Sequence, residues 1–367
     1  MNKLDLMKIN NKLAVVVLFW NDSKKTISCL NSLLSQRKQK LKIILVDNNS
    51  DKEFSKKIFN WLKKKKIKLI NVSGTKLLKV QYKSNKNCFY IKNKINFGCG
   101  LGHNSGYQFC LKNNFKYIAR IDNDMIAPKY LMFNLVKRLE SNKDIIALSP
   151  KVMYQDNPNR IWFGGAKTGI NLKLQKQCGN YICGKKDSIK FKGLVHTDAI
   201  VGCASIMKSE NLKKSGLSDP EFFYVEEDIE LSYRLKKTSG NLFVDLDQKI
   251  YHSVSHTVGA NWGKNIYYNY KYRLLLLKKI GTFSDKFFGY NIFFIKFFLS
   301  ILLCFKNSFS SRLVPVFFAG LHFLQKKYGN YDRKNYNKLD NFFIDYNKQT
   351  SILKIFKLLN KSKKLIN

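Results

Sequence analysis

Two acidic constellations in this sequence have the residue types and spacing for chemistry. In ARIDNDMI, residues 119–126, Asp122 and Asp124 stand two positions apart behind an apolar run. Side chains at that spacing on an extended segment share a face, so both carboxylates can converge on one cation or its waters. Hard oxygen ligands of this kind suit Mg2+ or Mn2+, which are held by one or two carboxylates together with substrate phosphates. A turn also uses aspartates this way. In FFYVEEDIELSYRL, residues 222–235, four carboxylates (Glu226, Glu227, Asp228 and Glu230) occupy five positions. Crowding of like charges raises some of their pKa values and favours a general base usable near neutral pH. An acidic helix start stabilised by its dipole reads identically.

A third stretch, NFGCGLGHNSG at residues 96–106, is rich in glycine. The dinucleotide fingerprint GxGxxG requires a third glycine where His103 or Ser105 stands, so that match fails. No phosphate-loop lysine follows. What remains is a flexible Gly-rich loop entering a helix, whose amides and Asn104 can approach a ligand closely.

These residues need elements to hold them. LAVVVLFW (13–20) is a continuous apolar run, the pattern of a strand buried on both faces. Asp22 and Ser23 can cap a helix running to about Ser35. KIILVDNNS (42–50) and KYIARIDND (116–124) repeat the pattern of a buried strand ending in an acidic turn, with a helix at about 54–66 after the first of them. A helix over about 128–141 precedes a fourth strand, DIIALSP (144–150). The alternation predicts an α/β fold with a mostly parallel central sheet and helices on both faces. Ligands in such folds bind at the carboxyl ends of the strands, so Asp47, Asp122 and Asp124 should face one cleft. Residues 151–195 read as loop-rich. One further strand is expected in NLFVDLDQKIYH (241–252).

The bulk numbers narrow the class. The chain has 367 residues, 45% hydrophobic and 14% aromatic, enough for a packed core. A net charge of +41 implies an anionic partner: nucleic acid, anionic lipid or a phosphorylated substrate. No recognisable nucleic-acid motif interleaves aromatic with basic residues, which disfavours a nucleic-acid-binding protein. The eight cysteines form no CxxC pair. Cys178, Cys183 and His196 are the only hint of zinc, and reduced cytosolic thiols are the expectation. The first apolar run is short for a signal segment and lacks a small-residue cleavage site, so the expected location is cytoplasmic.

From about Tyr267 the character changes to aromatic and Lys-rich helix. Phe287 to Phe305 carries one charge, Lys296, and is almost long enough to span a bilayer. From Asp285 onward there are fifteen Lys/Arg against four Asp/Glu. Apolar helices flanked by cations suit the interface of an anionic membrane. A helical hairpin buried on the rest of the protein, a true span and a non-catalytic membrane scaffold are the competing expectations. The expected division is a domain over 1–280 and a helical, basic and apolar region over 281–367.

Seven pieces in order, VVVLFWND, ILVDNNSD, NFGCGLGHNSG, YIARIDNDM, DAIVGCASIMK, FFYVEEDIELSYRL and IYHSVSHT, make the chain resemble family 2 of the inverting glycosyltransferases. That family has the GT-A fold of nucleotide-diphospho-sugar transferases. The resemblance points to rhamnosyltransferase-like bacterial members that build surface polysaccharides, and it covers roughly residues 13–280. It implies a nucleoside-diphosphate sugar donor, a saccharide or lipid-linked acceptor, Mg2+ or Mn2+ as cofactor, and attachment to the inner face of the cytoplasmic membrane. Trp20, Asn21 and Asp47 would then meet the nucleotide; Asn96, Gly98 and Asn104 would lie over nucleotide and sugar. Asp124 would hold the metal, with Asp122 nearer the ribose and His252 completing the metal's ligands. Asp228 would be the base, with Glu227 beside it. The family's Arg-Asn-Arg after two tyrosines is only partly matched, since Lys271 and Tyr272 stand in the first two places and Arg273 in the third.

Overall fold

The structure, a computed structural model, describes residues 13–38, 41–72, 87–167, 179–180, 182–254, 262–305 and 313–347. Cys178, one of the three hinted zinc ligands, and His256 lie outside the described residues. The chain divides into two compact units. The first comprises Met1–Lys167, Gly179–Asp219 and Glu227–Val254; the second comprises Thr168–Cys178, Pro220–Glu226 and Ser255–Asn367.

The first unit is built on a mixed sheet. Its leading strands are β1 (Leu13–Phe19), β2 (Lys42–Asp47), β3 (Lys68–Asn71), β4 (Asn87–Lys92) and β5 (Tyr117–Asp122). The intervening helices are α1 (Ser23–Leu34), α2 (Lys52–Lys64) and α3 (Cys99–Lys112). β6 (Met125–Ile126), α4 (Leu131–Ser141), β7 (Ile145–Tyr154), β8 (Ile161–Phe163), β9 (Ala166–Lys167) and β10 (Gly179–Asn180) follow. The unit closes with β11 (Leu194–His196), β12 (Ala204–Lys208), α5 (Ser209–Ser215), α6 (Glu227–Lys236) and β13 (Asn241–His252). The main path runs β11-β13-β7-β12-β5-β1-β2-β4-β3.

β1 shows why the apolar runs fold as they do. Leu13 to Val17 are all 0% exposed, because β2 and β5 flank the strand and helices cover its faces. α1 starts where expected, with the Asp22 side chain accepting from the Lys25 amide at 2.9 Å. The expectation of a mostly parallel sheet holds for β1 to β5 and again for β7 with β13, which also pair in parallel, but not for the sheet as a whole. β12 lies antiparallel between β5 and β7, and β6, β8 and β11 also pair antiparallel. No crossover helix joins β7 to β12 among the described residues, so the chain re-enters the sheet from the opposite end. β7 also runs on to Tyr154, four residues past the expected strand.

The Gly-rich stretch departs from its reading as a loop. Only Gly98 precedes the helix, with φ 78° and ψ −168°, a conformation open to glycine alone. Gly100, Gly102 and Gly106 lie inside α3. A Cβ at Gly106 would stand 2.4 Å from Val16 Cγ1, and one at Gly102 3.0 Å from Leu18 Cδ1. The glycines let α3 press directly onto β1.

The second unit is helical: α7 (Trp262–Ile280), α8 (Phe283–Phe305), α9 (Leu313–Leu324) and α10 (Asn330–Asn347). Among the described residues, no helix is long and apolar enough to cross a membrane. A fully buried polar hub ties α7 to α10. Lys271 Nζ donates to both Asp332 oxygens at 2.5 and 2.6 Å and to the Tyr267 hydroxyl at 2.6 Å. Tyr272 donates to Asp332 Oδ2 at 2.5 Å. Burial lowers the Lys271 ammonium to about 8 despite the opposing pull of Asp332. Arg273 pairs with Glu226 at 2.8 Å. The altered tripeptide thus keeps two charged anchors, with lysine in the first place. Lys271→Ala leaves Asp332 buried without its cation and is expected to lower unfolding free energy by about 3–5 kcal/mol, read by denaturant titration. A loss within about 0.5 kcal/mol of zero would refute the hub's role.

Candidate active site

The site lies at the carboxyl edge of the parallel strands. Registers set it: Phe19 pairs with Asp47, and Leu18 with Asp122, so the ends of β1, β2 and β5 fall in one row. Trp20, 36% exposed, and Asn21 follow β1 directly. Asn21 adopts a left-handed φ of 49°; its side chain accepts from the Asp51 amide at 2.8 Å and donates to Asp51 Oδ2 at 3.2 Å.

Asp47 lies deeper than its place at a strand end suggests. Its side chain is completely buried and accepts from the Ser50 amide (2.6 Å), the Ser55 hydroxyl (2.7 Å) and the Tyr90 hydroxyl (2.6 Å). Both of its oxygens are engaged inside the protein, where they shape the turn after β2. Asn104 is likewise consumed: its amide clasps the Ser218 backbone, accepting at 3.0 Å and donating at 2.8 Å. Asn96 Oδ1 accepts from the Gly98 amide and from Asn48. Asn48, which sequence reasoning passed over, is the organiser here. It donates to Asn96 and to the Gly98 carbonyl and accepts from Asn93 and the Phe97 amide, fastening the segment before α3 to the end of β2.

Asp122 ends β5, whereas Asn123 and Asp124 form a tight turn into β6. The alternation of an extended strand therefore does not orient Asp124. The pairing of β6 with β13 does, setting Met125 opposite His252. His252 Nε2 lies 3.2 Å from Asp124 Oδ2, and its ring meets Trp162 edge-on at 4.6 Å. Asn123, between the two aspartates, donates to Thr26 at 3.0 Å. Burial, offset in part by Arg120, raises the Asp122 carboxyl to about 6. Its Oδ1 is 3.5 Å from His103 Nε2, and the His103 ring, itself buried, is held well below its ordinary pKa by desolvation and by Arg120.

The other acids sit at the start of α6. Asp228 Oδ2 accepts from the Gly202 amide and Oδ1 from the Ile229 amide, both at 2.9 Å. Glu227 is 4% exposed and accepts from Arg120 at 3.0 Å. Burial outweighs that attraction and holds the Glu227 carboxyl above the usual carboxylate range. A Cβ at Gly202 would stand 2.9 Å from Arg120 Nη2 and 3.0 Å from Asp228 Oδ2, so a side chain there would displace one or both.

Arg120 links the two groups of acids. Its Nη2 touches Glu227 at 3.0 Å and its Nε lies 3.7 Å from Asp122 Oδ1. Sequence reasoning missed it, although its place two residues before Asp122 on one strand face was a legible signal. Among the described residues no three His, Cys, Asp or Glu side chains gather to enclose a metal by themselves. Asp124 and His252 do offer a hard oxygen and an imidazole nitrogen side by side, and Asp122 Oδ1 is buried with no hydrogen-bond partner. That donor set fits a divalent cation whose remaining ligands come from phosphate and water. Cys183 is exposed, and the His196 ring lies tilted against that of Phe243 at 4.2 Å.

Residues 14–211 match the model of the family described as glycosyl transferase family 2. No curated protein matches the chain. Among solved structures it is similar to GalNAc-T7 crystallised with UDP, GalNAc and Mn2+, at 17% identity and a TM-score of 0.49, over 77% of this chain and 54% of that one. It is also similar to S. aureus TarS, at 15% identity and a TM-score of 0.47, over 91% of this chain and 54% of that one. The chain thus spans about half the length of these two proteins.

Proposed function

The chain belongs to glycosyl transferase family 2, and on that footing we propose that it is a metal-dependent inverting glycosyltransferase. It moves a hexosyl or rhamnosyl unit from a nucleoside-diphosphate donor to a hydroxyl of a saccharide or lipid-linked acceptor. The product belongs to a cell-surface polysaccharide: lipopolysaccharide, capsule or O-antigen. One observation carries the reading. A single buried guanidinium, that of Arg120, spans from the donor-side carboxylate Asp122 to Glu227, the neighbour of the base.

The chain's residues divide the work. Asp124 and His252 would hold Mg2+ or Mn2+, with Asp122 beside them. When bound, the cation would offset charge developing on the departing diphosphate. Trp20 and Asn21 offer the nucleotide a surface at the strand ends, and the backbone around Gly98 lies over the sugar. Asp228, its carboxylate aimed by the Gly202 and Ile229 amides, takes the proton from the acceptor hydroxyl as that oxygen attacks the anomeric carbon from the face opposite the diphosphate. One displacement inverts the centre. Arg120 keeps Glu227 paired and turned away from the acceptor, leaving Asp228 the accessible base.

Purified protein incubated with a broad panel of sugar nucleotides and saccharide acceptors should release nucleoside diphosphate from one donor class. Chelation with EDTA should suppress that release. No metal-dependent turnover from any donor with a competent acceptor would refute the assignment.

A further inference from the structure

α8 carries an apolar stripe along one face of the helix. Phe287, Phe288, Phe294, Ile295, Phe298 and Leu299 are 49–61% exposed and recur at separations of seven and eleven residues, which keeps them in line. Phe283, at the start of the helix, is 87% exposed. The opposite face is the packed one. Phe293 is 6% exposed in a cluster with Leu274 and Val316, and a Cβ at Gly289 would stand 2.5 Å from Leu277. α8 is therefore already docked by one side while six large apolar side chains face outward on the other. Monomeric soluble proteins rarely leave an apolar patch of that extent bare.

Charge selects the occupant. The chain carries +41, and from Asp285 onward fifteen Lys/Arg stand against four Asp/Glu. A second copy would bring the same sign and be repelled. Nucleic acid would satisfy the charge but offers no apolar phase to six protruding side chains. An anionic lipid surface meets both demands, with acyl chains for the stripe and headgroups for the cations. No described helix crosses a membrane, so the geometry is one of lying in the interface. We propose that α8 seats lengthwise in the surface of an anionic bilayer, its Phe287 to Leu299 stripe turned to the acyl chains.

Full-length protein should co-float with vesicles of mixed phosphatidylcholine and phosphatidylglycerol and bind pure phosphatidylcholine far less. Raising salt from about 0.1 M to about 0.5 M should weaken binding, since the Debye length falls about twofold. The double variant Phe294→Ser with Phe298→Ser removes two exposed rings that lie outside the buried cluster and meet it only at the edges of Phe293 and Phe297. It should melt as the wild type does and bind anionic vesicles at least about tenfold more weakly. A single Phe294→Trp variant should show blue-shifted emission on adding anionic vesicles. Wild-type protein that ignores anionic vesicles overturns the proposal, as does a serine variant that binds them equally well. A wild type that is dimeric and becomes monomeric on serine substitution, with vesicle binding unchanged, assigns the stripe to a second copy and also overturns it. None of these measurements needs donor or acceptor, so the outcome is independent of the catalytic assignment.

Discussion

Asp228→Asn is expected to lower turnover by about 10^2–10^4-fold, the range spanned by loss of a positioned general base, with little change in donor KM. Asparagine keeps the shape and one oxygen to accept from Gly202 but cannot take a proton. The two acids at the head of α6 are not interchangeable. Asp228 is half-buried and held by two amides, whereas Glu227 is 4% exposed and committed to Arg120. Glu227→Gln should therefore keep more turnover than Asp228→Asn. Single-turnover release of nucleoside diphosphate, with melting curves to confirm folding, separates the two. If Asp228→Asn turns over like wild type while Glu227→Gln is dead, the base has been assigned to the wrong residue.

Removing the cation, or its principal ligand, should have an effect of similar size. Stabilising a departing diphosphate is worth several kcal/mol, and each 1.36 kcal/mol is tenfold in rate. EDTA should therefore depress turnover by about 10^3-fold, with recovery on adding Mn2+ or Mg2+. Asp124→Ala should match that loss, and no added metal should restore it. His252→Ala should instead raise the metal concentration needed for half-maximal rate, because a carboxylate remains. Full activity of Asp124→Ala in chelator would exclude a metal at this turn.

The sequence was most legible where burial and period agree. β1, β2 and β5 were readable because strands covered on both faces are continuously apolar, and the acids ending β2 and β5 fell at the carboxyl edge as that topology requires. The antiparallel pairings of β12, β6, β8 and β11 were less so, since strand direction depends on how a long connection returns and no local pattern encodes that. Asp47 and Asn104 illustrate a second limit. Their types suit ligand contact, but Ser50, Ser55, Tyr90 and Ser218 absorb their hydrogen-bonding groups, and those partners lie up to 114 residues away in the chain. Asp124 and His252, 128 residues apart, were paired by resemblance, and the β6–β13 pairing supplies the physical reason. Arg120 could be placed beside Asp122 by spacing alone, but its second partner, Glu227, lies 107 residues on and is not readable from local pattern.

The glycines of α3 have a kinetic consequence. Glycine inside a helix costs roughly 1 kcal/mol relative to alanine, and α3 contains three of them in its first eight residues, at 100, 102 and 106. Such a segment has little tendency to coil by itself, and most of its stability must come from tertiary packing. Gly102 and Gly106 create that packing by admitting Leu18 and Val16 of β1. α3 is thus expected to condense onto the sheet and not ahead of it, once β1 is seated between β2 and β5. The backbone around Gly98, tied to Asn48 at the end of β2, would be among the last parts of the donor side to order during folding and among the first to loosen under stress.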